Sequence, residues 1–142
     1  MSTLDTAISA AASALRAERV RIETSVSNIA NAETTRGADG QPYRRKDVVL
    51  TSDPVRTFDS VLGAASATGV KVAQVVEDQQ PFDRRYQPTH PDADEDGYVS
   101  LPNVNPAEEM VDMLGATRAY QANLAAVGLI RDLMNRALEL GK

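Results

Sequence analysis

Apolar residues in this chain fall into three regimes. Near the N-terminus Leu4, Ile8, Ala11, Leu15, Ile22, Val26 and Ile29 follow helical spacing, and Ile8, Leu15, Ile22 and Ile29 stand seven residues apart. Near the C-terminus Met110, Met113, Tyr120, Leu124, Val127, Met134 and Leu138 form a second such face. Within it Met110, Leu124 and Leu138 share a seven-residue grid that Thr117 and Arg131 interrupt. A free helix drifts off such a grid by about 20° per heptad, so a sustained grid marks helices that supercoil against a neighbour. Both ends are therefore predicted to be coiling helices, paired with each other or with another molecule. A helix from Thr3 to Ala32 would be roughly 45 Å long, more than a chain of this size covers alone, which points to intermolecular packing.

Between the ends the pattern changes. Val48-Val49-Leu50 and the run from Val70 to Val76 are β-branched, short and flanked by turn residues, and Tyr98-Val99-Ser100-Leu101 repeats that character, so short strands are expected. The Pro-rich tract after Pro81 forbids a long helix and is expected to return the chain, extended, to the helical stem. The fold class is thus mainly α. An N-terminal coiled-coil helix occupies 1–34, a middle segment with short β-strands and extended loops 35–104, and a C-terminal coiled-coil helix 105–142, with 1–34 and 105–142 forming one stem. Asn103 or Asn105 is placed to cap the last helix, Pro106 suits its first turn, Glu108, Glu109 and Asp112 suit the positive end of its dipole, and Gly141 ends it. Gly115 and Gly128 inside that helix each cost about 1 kcal/mol relative to Ala, a cost easiest to explain by close approach of another backbone.

Composition narrows the function. The chain has no Cys and no Trp, two Phe and four Tyr, so thiol chemistry, disulfides and a bulky aromatic ligand pocket drop out. Its net charge of −5 resides in residues 77–96, where seven acids face Arg84 and Arg85. The remainder balances, which argues against a nucleic-acid partner. The short basic run Arg44-Arg45-Lys46 is expected to meet that acidic segment on a neighbouring molecule. No apolar stretch approaches the roughly 20 residues needed to cross a bilayer, and the N-terminus lacks the basic and apolar blocks of a cleavable signal.

Candidate chemistry is thin. Asp92, Asp94, Asp96 and Gly97 match the first half of an EF-hand loop, but Asn103 stands where the bidentate Glu should be, and Pro88 and Pro91 occupy the preceding helix. The plainer reading is an Asp-rich turn whose carboxylates cap backbone N–H groups ahead of the Tyr98 strand. His90, the sole His, lies between Thr89 and Pro91 in a turn. No catalytic, cofactor or metal residues are expected, and neither an enzyme activity nor a small-molecule substrate.

The chain also carries a family resemblance. Ser27-Asn28-Ile29-Ala30-Asn31-Ala32-Glu33-Thr34 is close to the SNIANANT signature of the bacterial flagellar rod and hook axial proteins, with Glu33 in place of the usual Asn. TTRGADGQPYRRKDVVL resembles the stretch specific to the proximal-rod members. HPDADEDGYVSLPNVNPAEEM and ATRAYQAN resemble the C-terminal signature. The resemblance implies a structural subunit of the basal-body rod that crosses the periplasm, exported through the flagellar type III apparatus without a cleavable signal peptide. Implied partners are copies of itself, other rod proteins, the proteins joining the rod to the MS ring, and the distal rod. The roles it implies fall on Asn28, Ile29, Ala30, Asn31 and Thr34 and on Glu109, Met110, Arg118, Tyr120 and Asn123. With Ile8, Leu15, Ile22, Leu124, Val127, Met134 and Leu138 from the grids, these are the expected packing and interface residues. The rival reading is a soluble coiled-coil adaptor or export-related protein that never enters the rod.

Overall fold

The computed structural model describes residues 3–54 and 68–140. Helix α1 spans Thr3–Ala30 and helix α2 spans Pro106–Leu140. Strands β1 (Lys46–Pro54) and β2 (Thr68–Glu77) form one two-stranded sheet, and β3 (Asp83–Tyr86) pairs with β4 (Tyr98–Leu101) in another. The predicted helices and the strands at Val48, Val70 and Tyr98 are present. β3 was not expected: it lies in the Pro-rich tract, which runs extended as foreseen but also gains a partner. Its register is antiparallel, from Asp83 opposite Leu101 to Tyr86 opposite Tyr98. The helix stop assigned to Gly141 lies outside the described residues.

Helix α1 ends two residues before the expected Ala32: the Ala32 N–H bonds to Ile29 O, three residues back, at 3.2 Å instead of continuing the four-residue pattern. Both the backbone N–H and the side-chain Nδ2 of Asn31 donate to Ser27 O, at 3.1 and 2.8 Å, and Thr34 N–H then closes a turn on Asn31 O at 3.1 Å. Glu33, the departure from the family signature, is exposed at this turn. At the start of α2 Asn105, rather than Asn103, is the cap: its Oδ1 accepts the Ala107 N–H at 3.1 Å, and its own carbonyl accepts the Glu109 N–H at 3.1 Å.

The described residues form two compact units. One lies within Met1–Val20, Val49–Gln74 and Gly115–Lys142, the other within Arg21–Val48 and Val75–Leu114. In the first unit Ser13, Ala17 and Ala116 are buried. Ser13 Oγ donates to Ala10 O at 2.6 Å and accepts the Val70 N–H at 2.9 Å, so the start of β2 leans on α1. Gly69 permits this approach, since a Cβ there would lie 2.7 Å from Ser13 Oγ. At about 100° per residue, Ser13 and Ala17 lie roughly 140–180° around α1 from Ile8 and Leu15. The small face of α1 is therefore the deeply buried one, while Ile8, Leu15, Ile22 and Ile29 are all half-buried.

Helix α2 departs from the expected grid in an informative way. Its half-buried positions include Met113, Tyr120, Val127 and Met134, spaced by seven, with Ala116, Asn123 and Ile130 on a parallel row. Met110, Leu124 and Leu138, the grid read from sequence, are 54%, 55% and 69% exposed. The reason is visible in the residues between them: Thr117 and Arg131 break the Met110 grid, whereas the Met113 grid is apolar or aromatic throughout.

Candidate functional site

The second unit is built around a polar junction that joins the end of α1, the start of β1 and the start of α2. Asn28 and Glu109 are each 1% exposed although 81 residues separate them. Asn28 is carried inward on the last turn of α1. Its Nδ2 donates to Lys46 O at 2.8 Å and to Glu109 Oε2 at 3.0 Å. Its Oδ1 accepts the Lys46 N–H at 3.0 Å and the Tyr43 hydroxyl at 2.9 Å. Both amide hydrogens and both carbonyl lone pairs are thereby used, and two of the four bonds go to the N–H and C=O of a single residue, as a neighbouring strand would make them.

Glu109 enters from the first turn of α2 and receives Arg45 on its other oxygen, with Nε to Oε1 at 2.5 Å. Arg45 also lies 3.6 Å from Asp112. Burial disfavours the charged guanidinium, but the hydrogen bond and charge of Glu109, with Asp47 and Asp112 adding to it, outweigh that and raise the Arg45 pKa above its ordinary value. The Arg45 backbone is fixed as well: its N–H donates to Asn103 Oδ1 at 2.9 Å, and its carbonyl accepts the Asp78 N–H at 2.8 Å. No buried side-chain nitrogen or oxygen among the described residues lacks a hydrogen-bond partner. The cavity beside Glu109, lined by Ser25, Arg45, Lys46 and Asp112, measures about 30 Å³, room for one water and no larger ligand.

The basic run also makes contacts within its own chain. Arg44 donates to the carbonyls of Asp78 and Gln80, both at 3.3 Å, and its guanidinium lies 4.3 Å from the Phe82 ring centroid. The Lys46 ammonium lies 5.6 Å from the Tyr43 ring centroid. Arg44 and Arg45 are thus bonded within their own chain, and Lys46 lies beside an aromatic ring.

The Asp-rich turn closes on itself in the same manner. Asp94 Oδ1 accepts the N–H groups of Asp96 and Tyr98 at 3.1 and 2.7 Å, and its other oxygen pairs with Arg84. The Tyr98 N–H, foremost, then Arg84 and the Asp96 N–H hold the Asp94 carboxyl below its ordinary pKa. Asp92 accepts the Thr35 hydroxyl at 2.9 Å and lies 3.4 Å from Arg36. Gly97, at φ +81°, completes the turn. Among the described residues no group of three or more acidic or His side chains is arranged to hold a metal.

Of the residues singled out from sequence, the structure joins Asn28 to Glu109 directly, and Asn31 to Thr34 through Thr34 Oγ1 to Asn31 Oδ1 at 3.3 Å. Ile8, Leu15, Ile22, Ile29, Asn31, Thr34, Tyr120, Asn123, Val127 and Met134 are half-buried, and Ala30, Met110, Arg118, Leu124 and Leu138 exposed. Asn123 bonds back to Ala119 O of its own helix at 2.9 Å. Sequence reasoning missed Tyr43, Arg45, Lys46 and Asn103 as junction residues. The only local signal for Tyr43, Arg45 and Lys46 was the density of polar residues at the start of β1, which reads equally well as a solvated edge, and Asn103 read as a helix cap.

Comparison with known proteins places this framework. Residues 4–38 match the model of the flagella basal body rod protein family, and residues 95–140 match that of the flagellar basal body rod FlgEFG protein C-terminal region. Asn28 falls in the first match and Glu109 in the second. The flagellar basal-body rod protein FlgC of Bacillus subtilis is 44% identical over 145 residues, covering 95% of this chain and 96% of its own. Its namesake in Salmonella typhimurium is 43% identical over 132 residues, covering 93% of each. That of Borreliella burgdorferi is 37% identical, with 96% and 97% covered. With both helical ends and the middle segment accounted for by the same relatives, the chain belongs to the FlgC family of flagellar basal-body rod proteins.

Proposed function

We propose that this chain is a structural subunit of the proximal rod, polymerising through its terminal helices with copies of itself and with other rod proteins to build the hollow shaft across the periplasm. The observation that carries this reading is the surface of α2, where Met110, Val111, Leu114, Leu124, Leu129, Leu133 and Leu138 all stand exposed. A soluble protein rarely leaves so many large apolar side chains on one helix unless another surface covers them. The half-buried grid from Ile8 to Ile29 on α1 offers a second partly open seam, and coiling of the two helices against each other and against neighbours would close both. Delivery by the flagellar type III export apparatus, and contacts with the distal rod and the proteins that join the rod to the MS ring, belong to the same reading. The family is one of structural rod proteins, which sets the role apart from catalysis.

The test is quantitative mass spectrometry of detergent-extracted hook-basal bodies from cells carrying the wild-type chain or Leu124→Asp. The wild-type chain should be present at a constant ratio to a ring protein. The variant should be made at the normal level but missing from the particles. Absence of the wild-type chain from intact basal bodies would favour the adaptor reading, and normal incorporation of Leu124→Asp would refute the role of this exposed position.

A further inference from the structure

The Asn28 amide does something that the family assignment does not require. It bonds to the N–H and the C=O of Lys46, the first residue of β1, and so occupies the place of a strand partner there. The same amide bonds to Glu109, which in turn bonds to Arg45, the residue preceding β1. Three segments distant in sequence thus meet in one closed set of polar contacts.

The geometry points to a register latch: Asn28, Glu109 and Arg45 make docking of residues 43–48 conditional on the end of α1 and the start of α2 being aligned in one position. Apolar grids cannot supply that condition. Ile8, Leu15, Ile22 and Ile29 are nearly equivalent, as are Met113, Val127 and Met134, so a slip of seven residues exchanges one apolar contact for another. The latch residues have no such equivalents. Seven residues from Asn28 lie Arg21 and Thr35, and seven from Glu109 lie Pro102 and Ala116. None of these pairs reproduces two donors and two acceptors facing a carboxylate. Buried polar groups that fix register at some cost in stability have this logic in other helical assemblies. The middle segment then serves as the readout, because Lys46 keeps its surrogate strand partner only in the correct alignment.

Exchange of polarity tests the latch in the full-length chain, read by amide hydrogen exchange. Asn28→Asp turns the donor that faces Glu109 into an acceptor, and Glu109→Gln turns one acceptor into a donor. Each single variant should lower protection of the Lys46 amide at least tenfold. The double variant moves the side-chain amide to position 109 and the carboxylate to position 28, so that a donor again faces an acceptor between those two positions while the Lys46 carbonyl still lacks its donor, and should recover part of the protection lost in Asn28→Asp. Asn28→Ala should open residues 43–48 while amides between Tyr120 and Val127 keep wild-type protection. A double variant no better protected than the worse single variant would overturn the latch. So would wild-type protection of Lys46 in Asn28→Ala, or equal loss along the whole of α2, which would mark Asn28 as a general stabiliser rather than a register device.

Discussion

The junction at the helix ends and the distal part of α2 treat polarity in opposite ways. At the junction Asn28 and Glu109 are buried; Asn28 makes all four of its side-chain hydrogen bonds inside the chain and each Glu109 oxygen has a partner there, with Lys46, Tyr43, Arg45 and each other supplying the contacts. Along distal α2, Leu124, Leu129, Leu133 and Leu138 remain in solvent, and an added Cβ on Gly128 would meet nothing within 4 Å. Polar groups paired with one another offer little to a partner, whereas large apolar side chains exposed around a helix are incomplete without one. The proposed roles follow this contrast, with folding specificity in the first region and assembly in the second.

The largest expected effect comes from breaking the closed side. Glu109→Ala leaves Arg45 without its main counter-charge and takes one acceptor from Asn28, and should cost about 3 kcal/mol, the lower end for breaking a buried ion pair because Arg45 is partly exposed. Urea denaturation of the full chain would read this, and a loss below about 1 kcal/mol would mean that water or Asp112 substitutes for Glu109.

On the open side the sign reverses. Gly128→Ala meets no neighbouring atom in its own chain and should stabilise the free protein by up to about 1 kcal/mol through helix propensity. In assembled rods the same change should lower incorporation if another backbone passes close to that position. A fall in the thermal midpoint of the free protein would instead reveal a contact made within the chain.

The smallest effect concerns the Asp94 turn, which is closed like the junction but lies at the surface. Its folded pKa is depressed, so its contribution is fully present above the unfolded value of about 3.9 and is lost as pH falls through the folded value. The near-ultraviolet signal of Tyr86 and Tyr98, whose rings pack edge to face at 5.3 Å, should stay flat down to about pH 4 and change below it. Asp94→Asn should abolish that acid transition. An unchanged transition in the variant would assign it to another carboxyl.

Much of this molecule was legible along the chain. Periodicity marked both helices, β-branched runs marked β1, β2 and β4, and Asn105, Pro106 and the acids that follow marked the start of α2. These are local properties, set by backbone propensity and by which side chains can cap a nearby N–H. Glu109 was legible as a first-turn acid and as a family position, yet nothing local separates it from Glu108, which is exposed while Glu109 is buried. Likewise Arg44, Arg45 and Lys46 read as one basic patch, and only the fold sends them to three different partners.

Sequence alone therefore determined the helical ends, the strand-bearing middle and the family, because each rests on residues close together in the chain or on extended similarity. Tertiary structure decided which stripe of α2 is turned inward, which acid is buried, and that Asn28 pairs with Lys46 as a strand would. Those outcomes depend on contacts between residues 18 to 81 positions apart, where the energy of a polar group is set by what the fold places opposite it rather than by its neighbours in sequence.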